Sequence, residues 1–195
     1  MKYKRVTPDF FKGTTEEVAK KLLGKILVRV IGVKILSGKI VETEAYLDEN
    51  DLASHSAVGM TERNKVMFGE AGLAYVYFTY GMHYCFNVVT GEVGKGSAVL
   101  IRSLEPIDGI DLMKKFRQKD DVHILTNGPA KLCQALKIDK KLNGVDLKTS
   151  NEIFIAEPDK NEKFEVVITK RIGIEKSKDL LLRFYIKENK YVSRK

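Results

Sequence analysis

The segment Val41-Glu-Thr-Glu-Ala-Tyr46 constrains this chain more than any other, because it sets carboxylates inside what reads as a β-strand. Residues 35 to 46 are rich in β-branched side chains and open with the turn pair Ser37-Gly38. A strand alternates its faces, so Glu42, Glu44 and Tyr46 share one side and Val41, Thr43 and Ala45 the other. Two glutamates beside a tyrosine are costly in a packed core, where an unpaired carboxylate is heavily penalised. Such a face is either solvated or chemically employed. On its own the segment reads as an exposed polar face; the tyrosine-rich stretch from Tyr75 to Tyr84 is what shifts the balance.

Four of the eight tyrosines lie in that stretch. With residues 73 to 79 as a strand, Tyr75 and Tyr77 share one face, Val76 and Phe78 fill the other, and Tyr80 falls at the tip before Gly81-Met82. Phe78 and Phe86 read as core. Tyrosine fills a core less well than phenylalanine, since each buried hydroxyl needs a partner. A tyrosine-lined recess with an aromatic wedge at its lip suits a planar, electron-poor guest such as a nucleobase.

The rest of the chain supplies the frame. Its 195 residues are enough for one domain with a real core, and 44% hydrophobic with 31% charged residues fit a folded protein rather than a disordered one. No apolar run reaches the roughly 20 residues needed to span a bilayer, and no signal-peptide core opens the chain, so an intracellular protein is expected. Cys85 and Cys133 lie in apolar contexts without Cys-x-x-Cys spacing and read as reduced packing residues. Thr14-x-x-Glu17 reads as a capping box opening a helix that Gly24 closes. Strands are expected over residues 25–31, 35–46, 73–79, 84–90 and 97–104, the last ending at Glu105-Pro106. Helices follow over residues 107–116 and from Asn127-Gly-Pro-Ala, with short strands around Ile153, Val166 and Phe184. Strands and helices do not alternate, so the fold class is α+β: a single domain, residues 1–195, with a mostly antiparallel, curved sheet flanked by helices.

The net charge is +8, and residues 160–195 hold eleven basic against five acidic side chains, or +6 of it. A polyanionic partner follows naturally, because neutralising phosphates releases counterions; plain solubility explains the charge equally well.

Set in order, these strings resemble the alkyladenine (3-methylpurine) DNA glycosylase family. They are Glu42-Thr-Glu-Ala-Tyr46, Asp51, His55-Ser56, Arg63-Asn64, Met67-Phe68, Tyr75-Val-Tyr-x-x-Tyr-Gly-Met82, Asn87, Leu100-Ile-Arg-Ser-Leu-Glu-Pro106, Asn127-Gly-Pro-Ala-Lys-Leu-Cys133 and Arg171-Ile-Gly-Ile174. Each is weak alone; the colinear set, spanning nearly the whole chain, is specific.

The resemblance implies a monofunctional glycosylase that flips an alkylated or deaminated purine out of duplex DNA and hydrolyses its N-glycosidic bond, leaving an abasic site. Glu44 would activate the water that attacks C1′, and Arg102 would help hold that water; an ion-pair partner is the other reading of Arg102. Tyr46, His55 and Tyr77 would form the base pocket, and Asn87 would crowd the guanine amino group. Tyr80 would occupy the space left by the flipped nucleotide, with Met82 widening the wedge. Glu42 maps to no catalytic role. His83 stands where relatives often carry another aromatic residue. No lysine occupies a nucleophile position, which favours water over a strand-cutting lyase. The implied partner is double-stranded DNA containing damaged purines, acted on by a monomer with no membrane and no metal or other cofactor. The implied location is cytoplasmic, at the nucleoid in a prokaryote or in the nucleus of a eukaryote.

Two rival readings stay open at this level. Glu42, Glu44, Asp48, Glu49 and Asp51 could ligate magnesium in a nuclease, which leaves the aromatic recess unexplained. A non-enzymatic module could use the tyrosines as stacking platforms for single strands.

Overall fold

The capping box at Thr14 sets where the first helix begins. In the computed structural model, which describes residues 3–79, 81–160 and 162–194, the Thr14 hydroxyl accepts the Glu17 N–H at 3.2 Å, and Glu17 accepts the Thr14 N–H at 2.9 Å. Helix α1 (Thr15–Leu22) then buries Val18, Ala19 and Leu22 against the sheet and stops before Gly24, whose φ of +80° suits a residue without Cβ.

A hairpin through Gly32 joins β1 (Ile26–Ile31) to the long strand β2 (Lys34–Tyr46), around which the sheet is organised. The other strands are β3 (Ala74–Thr79), β4 (His83–Val89), β5 (Ala98–Asp108), β6 (Ile153–Ala156), β7 (Val166–Thr169) and β8 (Arg183–Ile186). Their order is β3-β4-β5-β2-β1-β6, with β8 pairing both β2 and β7, and every pairing is antiparallel. Along one edge β2 pairs first with β1 and then, at Glu42 to Glu44, with β8; its other edge runs beside β5. Helices α2 (Ile110–Arg117) and α3 (Pro129–Ala135) complete the α+β fold, a curved antiparallel sheet with three helices among the described residues. Leu132, Cys133 and Leu136 are buried as their spacing predicts, and both cysteines are free thiols. No helix of the described residues is long and apolar enough to cross a membrane.

Three sequence expectations are corrected. Ser37-Gly38 is not a turn: it lies inside β2, where the register against β5 shifts. A Cβ on Gly38 would meet Leu104 Cβ at 2.9 Å, so glycine here permits close strand approach. Strand β5 does not end at Glu105-Pro106 but runs to Asp108, because Pro106 sits opposite that same irregularity, where a missing N–H is tolerated. Phe78 is 48% exposed rather than core, while Phe86 is fully buried. The cause is an overhang: β4 pairs with β5 only from Asn87 to Val89, so the far half of the β3–β4 hairpin projects beyond the sheet.

Glu42 is the largest departure from expectation, being neither solvated nor at a cavity. It is fully buried, and its Oε1 accepts from Arg102 Nε at 3.0 Å, Arg183 Nε at 2.7 Å and the Ser193 hydroxyl at 2.9 Å. Its Oε2 accepts the Ser193 N–H at 2.7 Å. One carboxylate thereby ties β2, β5, β8 and the C-terminal segment together. Glu42→Gln would leave two buried guanidinium groups short of an anion, so it should destabilise the fold by about 3 kcal/mol. Equilibrium denaturation tests this, and a loss below about 0.5 kcal/mol, the range of an ordinary surface change, would contradict it.

Candidate active site

The C-terminal end of β2 carries Glu44 and Tyr46 beside a cavity of about 340 Å³, a size suited to a small planar guest. Its walls include Tyr46, His55, Tyr75, Tyr77, Cys85, Asn87, Leu100, Arg102 and Ile172. Glu44 sits one contact behind the wall and is fully buried. Its Oε1 accepts the Ile172 N–H at 2.7 Å, its Oε2 accepts the Tyr46 hydroxyl at 2.9 Å, and Arg102 Nη1 stands 3.1 Å from Oε2.

Arg102 reaches this point because of a strand irregularity. On β5, Ser103 stands opposite Glu42 and Ile101 opposite Thr43, so Arg102 is the extra residue between two registered pairs. A bulge re-aims a side chain, here toward the face of both glutamates. The guanidinium thus bridges Glu42 through Nε and Glu44 through Nη1.

The remaining aromatic and polar wall residues come from three elements. Tyr75 and Tyr77 stand on β3 with ring centroids 5.3 Å apart, as strand alternation predicts. His55 opens a 3₁₀ turn, His55–Val58; its ring meets Tyr77 edge-on at 4.5 Å, and its Nδ1 lies 2.9 Å from the Tyr75 hydroxyl. Asn87 on β4 is buried and donates to the Tyr75 carbonyl at 3.0 Å. Met82 stands apart, 70% exposed on the projecting hairpin, where His83 is exposed too. Tyr80, expected at the hairpin tip, lies outside the described residues.

Electrostatics differ sharply across the cavity. Burial pushes the Glu44 carboxyl above its ordinary 4.5, and Arg102, the Ile172 N–H and the Tyr46 hydroxyl only partly oppose this. Burial pulls Arg102 down, but Glu44 and Glu42 outweigh it, so the guanidinium stays charged. Burial, then Glu44, raises Tyr46 well above the phenol range, so it remains a donor. Burial and Arg63 lower His55 below 6.5, which keeps the imidazole neutral at pH 7. Burial pushes Tyr75 up to about 12 and Tyr77 higher still.

Some participants escaped the sequence reading. Tyr75 orients His55, Cys85 lines the wall beside Tyr77, and the Ile172 backbone holds Glu44. Only the need of a buried Tyr75 hydroxyl for a partner and the string Arg171-Ile-Gly-Ile174 pointed toward them. Arg171, one of the eleven basic residues of the C-terminal region, is buried on Asp51 at 2.6 Å.

The acidic cluster weighed as magnesium ligands is dispersed in the structure. Glu42 is held by two arginines, Asp51 by Arg171, and Asp48 accepts the Gly96 N–H at 2.7 Å. Among the described residues no three His, Cys, Asp or Glu side chains converge as a metal-holding group.

Comparison with known proteins accords with this arrangement. The family model for methylpurine-DNA glycosylase matches residues 9–190. A protein of Carboxydothermus hydrogenoformans is 56% identical over 178 residues, covering 91% of this chain and 93% of its own length. One from Francisella tularensis subsp. tularensis (strain SCHU S4) is 55% identical over 183 residues, covering 93% and 94%. One from Legionella pneumophila (strain Lens) is 49% identical over 194 residues, covering 98% and 99%. All three bear the name "Putative 3-methyladenine DNA glycosylase". With the family matched from near one end of the chain to near the other, and a tyrosine-walled cavity backed by a buried carboxylate, this chain belongs to the methylpurine-DNA glycosylase family.

Proposed function

We propose that the protein extrudes an alkylated purine from duplex DNA into the tyrosine-walled cavity and hydrolyses its N-glycosidic bond with a water activated by Glu44. One observation carries this reading: a fully buried carboxylate, held by three donors that themselves line the cavity. As the bond to the base lengthens, the sugar gains oxocarbenium character, and an adjacent anion both steadies it and takes the water proton. A carboxylate oxygen accepts in two directions, and the Ile172 N–H takes one on Oε1, leaving the other for the water. The water oxygen bonds C1′ while the base departs with the electron pair of the broken bond. Arg102 fixes the Glu44 carboxylate and turns toward the cavity, where it positions the water.

Tyr46 and Tyr77 stack on the base. Neutral His55, its Nδ1 accepting from Tyr75, presents the Nε2 proton to the base edge. Asn87 narrows the floor against the guanine amino group. Tyr80 fills the gap left in the duplex, and Met82, exposed on the hairpin, widens the wedge. The protein works as a monomer on cellular DNA in the cytoplasmic compartment, at the nucleoid where there is one, and deaminated purines such as hypoxanthine are secondary substrates.

Glu44→Gln keeps the side chain's shape but loses its charge and its proton acceptor. Single-turnover excision should fall by roughly 100- to 10,000-fold while affinity for lesion-bearing duplex changes little. Lost binding or unfolding in that variant would make Glu44 structural and end the catalytic claim. Glu42→Gln, an attractive control from sequence, is unsuitable because the structural role of Glu42 would confound it.

The pH profile follows from burial. Only ionised Glu44 accepts the proton, so excision should rise with pH through an acid limb lying above 4.5. Arg102→Gln removes the strongest opposing influence and should move that limb to higher pH; a downward move would contradict the assignment.

Substrate charge supplies a separate test. N3-alkylated adenine is cationic and already a good leaving group, and two tyrosine faces offer a desolvated cation about 1–2 kcal/mol. 3-Methyladenine should therefore leave faster than hypoxanthine from otherwise identical duplexes, and the reverse order would overturn this reading of the cavity.

A further inference from the structure

Among the described residues of the basic C-terminal region, Arg171 packs against the site from behind. Its guanidinium forms a two-pronged pair with Asp51, Nη1 and Nη2 each 2.6 Å from a carboxylate oxygen, and neither side chain has any exposed surface. Nη1 also donates to the Ala45 carbonyl at 2.9 Å, and the group lies 4.6 Å over the Tyr46 ring. Arg171 does not line the cavity and Tyr46 does, so the guanidinium covers the ring from outside the cavity. The next residue, Ile172, gives its N–H to Glu44. Asp51 in turn accepts the Leu47 N–H at 3.0 Å and the Ala53 N–H at 3.2 Å, closing the loop that leads from Tyr46 to His55.

We infer that Asp51 and Arg171 form a positioning pair for the excision reaction, holding the Ile172 N–H on Glu44 and the Tyr46 ring in the cavity wall. This rests on the roles proposed above for Glu44 and Tyr46. Three features favour positioning over a plain stabilising contact. A buried ion pair is a poor source of net stability compared with apolar packing of the same volume, whereas a fork on a carboxylate fixes orientation closely. Arg171 Nε is buried with no acceptor among the described residues, so the group is placed for its other contacts despite that cost. Finally, the pair joins the two segments on either side of the site, residues 47–53 and 171–174, to the end of β2 through backbone groups of Ala45 and Leu47.

Neither residue touches the reacting atoms, so the effect should fall on rate and on the state of Glu44, not on grip of the duplex. Besides Arg171's neighbour Ile172, Glu44 is faced by Arg102, Glu42, the Tyr46 hydroxyl and the Cys85 thiol. None of these is changed in Asp51→Asn, Arg171→Lys or Arg171→Met. If the Ile172 N–H drifts away, Glu44 loses a donor that favours its anion, and the acid limb of excision should move to higher pH.

The test is single-turnover release of 3-methyladenine from duplex DNA across pH, with duplex affinity and thermal unfolding measured on the same samples, and Glu44→Gln run alongside. Asp51→Asn and Arg171→Met should excise roughly 10- to 100-fold more slowly at the plateau, with undamaged-duplex affinity near wild type. Their acid limbs should shift upward, and Arg171→Lys should recover part of the rate and part of the shift. Folded variants with wild-type rate and acid limb would overturn the inference, as would a loss confined to duplex affinity, which would make Arg171 a phosphate contact. If even Arg171→Lys fails to fold, the pair is a stability element and the positioning claim falls. An active Glu44→Gln would instead remove the catalytic reading itself; an inert one beside a wild-type Arg171→Met would remove only this inference.

Discussion

Most of the site's arrangement depends on one shared guanidinium. Arg102 lies between two fully buried carboxylates, 3.0 Å from Glu42 and 3.1 Å from Glu44. Glu42 does not need it alone, since Arg183 and Ser193 also hold that carboxylate. Arg102 is therefore set from behind by a structural anion and presents its far side to Glu44. The division of labour between two glutamates on one strand face comes from their neighbours. Glu42 is surrounded by cations and an N–H from the C-terminal segment, whereas Glu44 meets one cation, one hydroxyl and one N–H at the edge of a cavity. Glu42 is held by three side chains and a backbone N–H, whereas Glu44, less completely matched, keeps a raised pKa.

The cavity and the projecting hairpin follow from the same sheet. Strand β4 leaves β5 after a short pairing, so Tyr75 and Tyr77 face inward at the point where the sheet stops covering them. Beyond that point Phe78 and Met82 are exposed on a two-stranded arm, with Arg63 bonded to the Phe78 carbonyl at 3.1 Å. The sheet thus holds the buried carboxylates while the arm carries exposed apolar side chains; in the proposed base-flipping reading these are the parts that act on the base and meet the duplex.

Local rules made much of this readable before any coordinates. The capping box at Thr14, the alternation of Tyr75 and Tyr77, and Pro129 in the first turn of α3 are short-range effects, and each lies where its pattern puts it. The failures are all long-range. Ser37-Gly38 has turn composition, but its glycine answers to Leu104 and Glu105 on another strand. Glu42 looked either solvated or catalytic because nothing nearby in sequence reveals Arg183 and Ser193 folding back onto it. On charge, Arg171 counts in the sequence only as one of eleven basic residues, because nothing nearby in the chain reveals Asp51, 120 residues earlier, as its partner. Phe78 read as core because strand alternation cannot show where the neighbouring strand ends. The family resemblance singles out candidate site residues along the chain, while the bulge that aims Arg102 and the backbone N–H that holds Glu44 are visible only in three dimensions.

In the proposed mechanism the open accepting direction of Glu44 Oε1, beside the Ile172 N–H, receives the attacking water while the base lies between Tyr46 and Tyr77. The most direct measurement is a crystal structure of the protein on duplex DNA in which a cationic pyrrolidine replaces the lesion's sugar, mimicking the charge of the transition state. The account predicts that the ring nitrogen and an ordered water both lie within hydrogen-bonding reach of Glu44, with Arg102 still paired to Glu42. A pyrrolidine seated away from this cavity, with Glu44 still sealed by Ile172, Tyr46 and Arg102, would contradict it.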